Sequence, residues 1–205
     1  MNDFWDHQFS QPGYRYGQQP NAFLAEQAHR LPAGSRVLVP GDGEGRNSVW
    51  LAGQGHRVTA IDQSRVGLDK AEALAAQRGV ALRTRQADLA LWAPEAGEWD
   101  AVVLTYVHLP PVLRATAHQR LWQGLRPGGW FLLEAFSPAQ LGRPSGGPPD
   151  LAMLYSLAQL HEDLTPVGGA QAEQHVAWEG RVHLDEGPGH QGEAEVVRLL
   201  LRKAV

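Results

Sequence analysis

The sequence predicts an α/β fold: a seven-stranded, mostly parallel sheet with helices on both faces and an antiparallel last strand. Three observations predict it. Between residues 36 and 136, short apolar runs alternate with longer stretches of helical spacing, the pattern of right-handed strand–helix–strand crossovers in a parallel sheet. The first apolar run enters a glycine-rich turn, Gly41-Asp42-Gly43-Glu44-Gly45, and a helix follows. The last two strand-like stretches are joined only by Leu184–Glu193, too short for a parallel crossover, so that pair is antiparallel.

Each element has its own reason. Residues 1–20 are rich in aromatics, Gln, Pro and Gly without clean periodicity and read as an ordered arm or lid. Asn21–Arg30 reads as a short helix that Pro20 enters and Asn21 caps. Arg36–Pro40 is a buried strand, Gly45–Gln54 a helix closed by Gly55, and Arg57–Ile61 a second strand. Ser64–Arg78 is an Ala/Leu-rich helix with Ser64 as cap and Gly79 as stop. Ala81–Gln86 is a third strand, polar at alternate positions; Asp100–Val107 is a fourth, nearly all apolar, as a strand covered on both faces is. Pro111–Leu125 is a helix stopped by Pro127-Gly128-Gly129, and Trp130–Phe136 is the fifth strand. Residues 137–149 break the pattern as a long loop, Leu151–Leu164 is a helix, and Ala172–His183 and Ala194–Lys203 are the closing strands.

With 205 residues, 43% of them hydrophobic and 20% charged, the chain has material for one core and little room for two. Residues 1–30 form the arm and first helix of that single domain, and 31–205 its sheet core. A formal net charge of −4 without a Lys/Arg run gives no electrostatic footprint for nucleic acid or an anionic membrane. The absence of cysteine excludes disulfides, thiolate zinc sites and a cysteine nucleophile. The start lacks the basic and apolar regions of a secretory signal, and no apolar run approaches the ~20 residues of a membrane helix. The expected location is therefore cytoplasmic. His161-Glu162, His175, His183 and His190 cluster late in the chain but show no metal-ligand spacing, so no metal is expected.

Glycines in the 41–45 turn let a ligand approach the backbone without a Cβ in the way. By itself such a turn is also an ordinary tight connection. Its context adds weight: the second strand ends at Ile61-Asp62, where a carboxylate can accept both hydroxyl hydrogens of a ribose. Asp62 reads alternatively as a helix N-terminal carboxylate, a task Ser64 already fills. A dinucleotide fingerprint is G-x-G-x-x-G, but here the spacing is G-x-G-x-G and Arg46 stands where that motif needs glycine. The spacing suits a ligand without a pyrophosphate, such as S-adenosylmethionine.

The segment VPGDGEGRNSVWLAGQGHRVTAIDQS, at 39–64, resembles the opening of class I methyltransferases. Asp88-Leu89 resembles their adenine-contacting segment, and Leu125-Arg126-Pro127-Gly128-Gly129 their L-[KR]-P-G-G turn. Within that superfamily, GEGRN at 43–47, YGQQPNAFL at 16–24 and HLPP at 108–111 resemble the tellurite-resistance and thiopurine methyltransferase-like group. The resemblance implies a Rossmann-like fold that binds S-adenosylmethionine. Gly41, Gly43 and Gly45 would line its methionine end, Asp62 would take the ribose, and Asp88 and the Leu89 N–H the adenine. Tyr106 would sit beside the sulfonium, with Tyr16 and Asn21 closing over the site; Asn47 and Gln63 complete the set. The family often has an acidic residue where this chain has Val39, which leaves Asp42 or Glu44 to hold the methionine ammonium.

Ligands of open α/β sheets bind outside the carboxyl ends of the strands. That rule selects Tyr106-Val107-His108, Glu134–Ser137, Gly146-Gly147-Pro148 and His190-Gln191, with Trp5, Tyr14 and Tyr16 as a roof. His108, Glu134, His190 and Tyr16 are the substrate-side candidates. Each also has a plainer reading: helix entry for His108, pairing with a surface Arg for Glu134, a surface turn for His190, packing for the aromatics. The expected function is methyl transfer to a small soluble acceptor with a soft sulfur, selenium or tellurium nucleophile. The alternatives are a non-catalytic S-adenosylmethionine-binding regulatory module and an NAD-linked oxidoreductase. Leu109-Pro110-Pro111-Val112 lacks the polar and aromatic ends of the [DN]-P-P-[YF] tetrapeptide used on flipped bases.

Overall fold

The computed structural model describes residues 2–168 and 171–205. In chain order the elements are α1 (Asn2–Phe9), α2 (Ala22–Gln27), β1 (Arg36–Pro40), α3 (Arg46–Gly53), β2 (Arg57–Asp62), α4 (Arg65–Arg78) and β3 (Arg83–Gln86). There follow β4 (Trp99–Thr105), α5 (Pro111–Gln123), β5 (Leu125–Phe136), α6 (Leu157–Leu164), β6 (Glu173–Asp185) and β7 (Gln191–Arg202). The seven strands form one sheet in the order β3-β2-β1-β4-β5-β7-β6. β7 runs antiparallel to both its neighbours, and the β1, β2, β3, β4 and β5 pairings are parallel. The predicted sheet is therefore the observed one.

Side chains alternate between two apolar layers, as the pleat of a strand requires. Leu38, Val102, Leu104, Phe131 and Leu133 pack with Trp122 of α5 and Leu160 of α6 on one face. Val37, Val39, Val103 and Leu132 pack with Phe23 and Leu24 of α2 on the other. Pro40 ends β1, beyond the residues that pair with β4 (Val37 with Ala101, Leu38 with Val102), so its missing N–H removes no bond from that ladder.

Local chemistry corrects several boundaries. The arm is not irregular throughout: Asn2–Phe9 is helical. Asn21 caps α2 as expected, its side chain accepting from the Leu24 N–H, but after Gln27 the chain tightens into a 3-10 turn. Ser64 and Gly79 cap α4 as expected, Ser64 accepting from the Gly67 N–H and Gly79 taking the left-handed region at φ 66°. β4 stops at Thr105 because Tyr106 turns to φ 56°. β5 starts at Leu125, where the predicted helix ended, and runs through the predicted Pro-Gly-Gly stop with a register shift opposite Trp99 and Ala101. The predicted 151–164 helix splits into a 3-10 turn, Leu151–Met153, and α6. Ser156 divides them by forming a capping box with Gln159, which starts a helix rather than continuing one. The last hairpin loop contracts to residues 186–190. Among the described residues, no helix is long and apolar enough to cross a membrane, and no group of three or more potential ligands is placed to hold a metal ion.

Candidate active site

A cavity of about 560 Å³ opens at the carboxyl ends of β1, β2, β4 and β5. It lies where the sheet order changes direction between β1 and β4, the place at which open α/β sheets take ligands. Its floor is the 41–43 turn, and Asp62 and Gln63, residues 87–89 and residues 105–109 form further walls. Phe136, residues 146–149, Met153 and Gly189-His190 close one end. Phe4, Trp5, Gln8 and Phe9 of α1 cover the cavity together with Arg15 and Tyr16.

The three turn glycines have different reasons. Gly41 has φ 66°, and a Cβ there would lie 2.6 Å from Val107 Cγ2. At Gly43, φ 62°, a Cβ would lie 3.0 Å from the Phe9 ring. Gly45 is a correction: it is absent from the cavity wall, and a Cβ there would lie 2.7 Å from Ala71 Cα on α4. It is a glycine because α3 starts from it at φ 93° and α4 passes close behind.

Two buried carboxylates flank the turn. Asp62 accepts from Gly43 N–H at 2.8 Å and from Ser64 N–H at 2.8 Å, so it ties the turn to the end of β2. Burial pushes its pKa up, and the backbone donors pull the other way. Its two oxygens each take one bond and keep further acceptor capacity. Asp42 accepts from the Ser48 hydroxyl at 2.5 Å and the Ser48 N–H at 3.3 Å. Burial first, and then the charge of Asp62, push its pKa up to about 7. Glu44 faces away from the cavity, bound to Lys70 Nζ at 2.7 Å and the Arg15 N–H at 2.7 Å. It anchors the arm and is no substitute for the acidic residue that Val39 replaces.

Asp88 and Leu89 line the cavity beside Gln63, and one Asp88 oxygen accepts from the Ala90 N–H. Asn47 also lines it while bridging Asn21 N–H and the Thr105 hydroxyl. Asn21 itself is fully buried and outside the wall. Its side-chain amide donates to Glu134 at 2.8 Å and Glu186 at 3.1 Å. Glu134, also outside the wall, further accepts from Tyr106 Oη at 2.6 Å and pairs with Arg198. Glu186 pairs with Arg46 at 2.7 Å and accepts the Ala22 N–H. Asn21 and Glu134 thus form a buried polar knot behind the cavity, balanced by two arginines, rather than contact surfaces for a ligand. Glu134 does pair with an arginine, as its plainer reading has it, though Arg198 is half-buried and not on the surface.

Tyr16 and Tyr106 do reach the cavity. Burial first, then the Glu134 and Glu186 charges, hold the Tyr106 phenol well above its ordinary range, so it stays protonated. His108 lines the cavity with both nitrogens spent. Nδ1 lies 2.6 Å from the Met153 carbonyl oxygen, which can only accept, and Nε2 accepts from Phe136 N–H at 3.2 Å. Its pKa falls to about 4 through burial. His190 is 4% exposed rather than on a surface turn. Its pKa is drawn down to about 2 by burial and by Arg46, His108 and Arg15. Trp5 lines the cavity, but Tyr14 packs toward Val49, Leu74 and Ala75, with its hydroxyl near the Lys70 carbonyl.

Arg46, Arg15, Phe4, Gln8 and Phe9 are wall residues that reasoning from sequence missed. Arg46 had a signal, as a charged residue where a dinucleotide turn needs glycine; the others had none.

A family model described as a methyltransferase domain matches residues 37–129. Thiopurine S-methyltransferase of Pseudomonas putida strain GB-1 is 31% identical over 148 residues, 62% of this chain and 67% of the relative. The enzyme of that name from P. putida strain F1 is 33% identical over 116 residues, 48% of this chain and 52% of the relative. The chain thus spans about half the length of the first curated relatives it matches. The solved structure of TehB from Haemophilus influenzae superposes with a TM-score of 0.71 at 17% identity, covering 98% of this chain and 66% of TehB.

Proposed function

The chain belongs to the class I S-adenosylmethionine-dependent methyltransferases, and from that premise we propose that it methylates a small planar acceptor whose nucleophilic atom arrives already ionised. One observation carries this reading: among the described residues, the acceptor end of the cavity offers no proton acceptor for neutral pH. His108 has both nitrogens engaged, His190 protonates only in strong acid, and Glu134 is sealed by three donors. Tyr106 is held protonated by its surroundings. A thiolate or related soft anion needs no base. The names of the P. putida relatives, thiopurine S-methyltransferases, support sulfur as that atom.

The residues present fit the cofactor. Gly41 and Gly43 bring bare backbone to the cavity floor, where a Cβ would run into Val107 and Phe9 of its wall, and Asp62 keeps unused acceptor capacity beside them. In this reading Asp62 holds the ribose, Asp88 and Leu89 the adenine, and Gly41 and Gly43 lie under the methionine end. Asp42 takes the ammonium, with Asn47 and Gln63 completing the wall. When bound, S-adenosylmethionine supplies a methyl group already activated on a sulfonium, so the protein's work is alignment and water exclusion. Tyr106 and Phe136 wall the acceptor space, and α1 with Tyr16 excludes water.

The test is the pH dependence of kcat/KM at saturating cofactor for planar thiols of different acidity, 6-mercaptopurine among them. Each profile is expected to rise and level off at the acceptor's own pKa. A single pKa shared by all acceptors between pH 6 and 8 would show that a protein base is used.

A further inference from the structure

His190 closes the turn between β6 and β7, and its backbone is held from both sides. Its N–H donates to the Gly187 carbonyl at 3.0 Å, and its carbonyl accepts from the Glu186 N–H at 2.9 Å. One glycine makes room for the ring, and two more let the arm close against the turn. A Cβ at Gly146 would lie 2.8 Å from His190 Cδ2, one at Gly189 would lie 2.6 Å from the Tyr16 ring, and one at Gly187 would lie 2.2 Å from the Gly17 nitrogen. The imidazole is wedged with its centroid 4.4 Å from Tyr16 and 4.3 Å from Tyr106.

For all this packing, the imidazole makes no hydrogen bond among the described residues. Nδ1 is buried without a partner among the described residues. A buried polar atom left unpaired costs stability, and in native proteins it calls for a reason. His108, in the same wall, shows what a purely structural histidine does, with both nitrogens bonded. A sealed N–H is harder to leave unpaired than a sealed lone pair. The hydrogen of a neutral ring therefore sits on Nε2, the nitrogen left to meet a ligand.

Building on the acceptor reading above, we infer that His190 is a specificity-determining residue, its Nε2–H donating to a ring nitrogen or second heteroatom of a planar heteroaromatic acceptor. Arg46, Arg15, His108, Tyr16 and Tyr106 surround the ring, and the two cations oppose its protonation. It therefore offers an uncharged donor. Selection falls on a lone pair at the acceptor's edge and not on net charge.

The test compares 6-mercaptopurine, which has ring nitrogens, with benzenethiol, which has none. In His190→Ala, kcat/KM for 6-mercaptopurine should fall about tenfold, mainly through KM, the size of one net hydrogen bond. Benzenethiol turnover should fall several-fold less than that of 6-mercaptopurine, and His190→Gln should restore part of the difference. An equal fall for both thiols, or no fall for either, overturns the assignment. If the wild type methylates neither thiol, the ¹³Cε1 resonance of His190 decides as 6-mercaptopurine is added to the S-adenosylhomocysteine complex. A shift upholds His190 as the contact and rejects the ionised-thiol acceptor reading; no shift rejects both.

Discussion

Asp42 lies within the 41–45 turn and Asp62 beside it at the end of β2, and their surroundings set different behaviour. Asp62 is tied by two backbone N–H groups and in our reading accepts two ribose hydroxyls as well. Charge-assisted bonds of that kind contribute roughly 1.5–3 kcal/mol each before losses to water. Asp62→Ala should weaken S-adenosylhomocysteine binding roughly tenfold to a thousandfold by calorimetry, with the circular dichroism spectrum unchanged. Asp42, with its pKa pushed up to about 7, predicts a pH effect on binding. If it holds the cofactor ammonium, affinity rises with pH through about 7, and in Asp42→Asn it is weaker and flat across pH 6–8.5. The stability term has the opposite sign. The folded carboxyl keeps a proton that the unfolded one has lost, so this group's contribution to stability declines as pH rises from about 4 through 7. A chemical-denaturation series in which Asp42→Asn loses that slope would bear this out.

At the scale of elements, the arm and the β6–β7 turn interlock. The Gly189 N–H donates to the Arg15 carbonyl at 2.8 Å, and Asp6 on α1 accepts from the Ser64 hydroxyl at the head of α4. Phe9, 3% exposed, lies against Gly43. Removing residues 2–18 should leave the sheet folded but abolish turnover, and the cofactor should still bind, more weakly. Full activity in that truncation would show that the cavity needs no roof. The α3–α4 contact makes a separate prediction. Gly45→Ala combines a positive φ with a Cβ 2.7 Å from the Ala71 backbone, so it should destabilise the fold by about 2 kcal/mol or more. The measurement is urea unfolding; a loss of cofactor affinity at unchanged stability would instead put Gly45 in the cavity wall.

For the molecule as a whole, the sheet was legible because local signals agree: strand–helix alternation, caps at Asn21, Ser64 and Gly79, and a closing connection too short to cross over. The helix at Asn2–Phe9 was not, because it leaves no recurring apolar stripe in the sequence: of its aromatic residues Phe9 alone is buried, against α4 and the turn, while Phe4 is exposed and Trp5 lines the cavity. The cofactor side of the cavity was legible through the 41–43 turn, Asp62 and Asp88, which follow consecutive strands. The acceptor side was only half legible. Asn21 and Glu186 are 165 residues apart and the buried charge pair Arg46–Glu186 140 apart, separations that leave no pattern in the chain. Glu134 could therefore be named as important but not assigned to the knot behind the wall. Methyl transfer is the claim on which the other assignments depend. Its most direct measurement is the mass of the products after incubating the protein with S-adenosylmethionine and 6-mercaptopurine. The account predicts S-methylated mercaptopurine and S-adenosylhomocysteine in equal amounts; tight cofactor binding without transfer to 6-mercaptopurine or any other ionised planar thiol would contradict it.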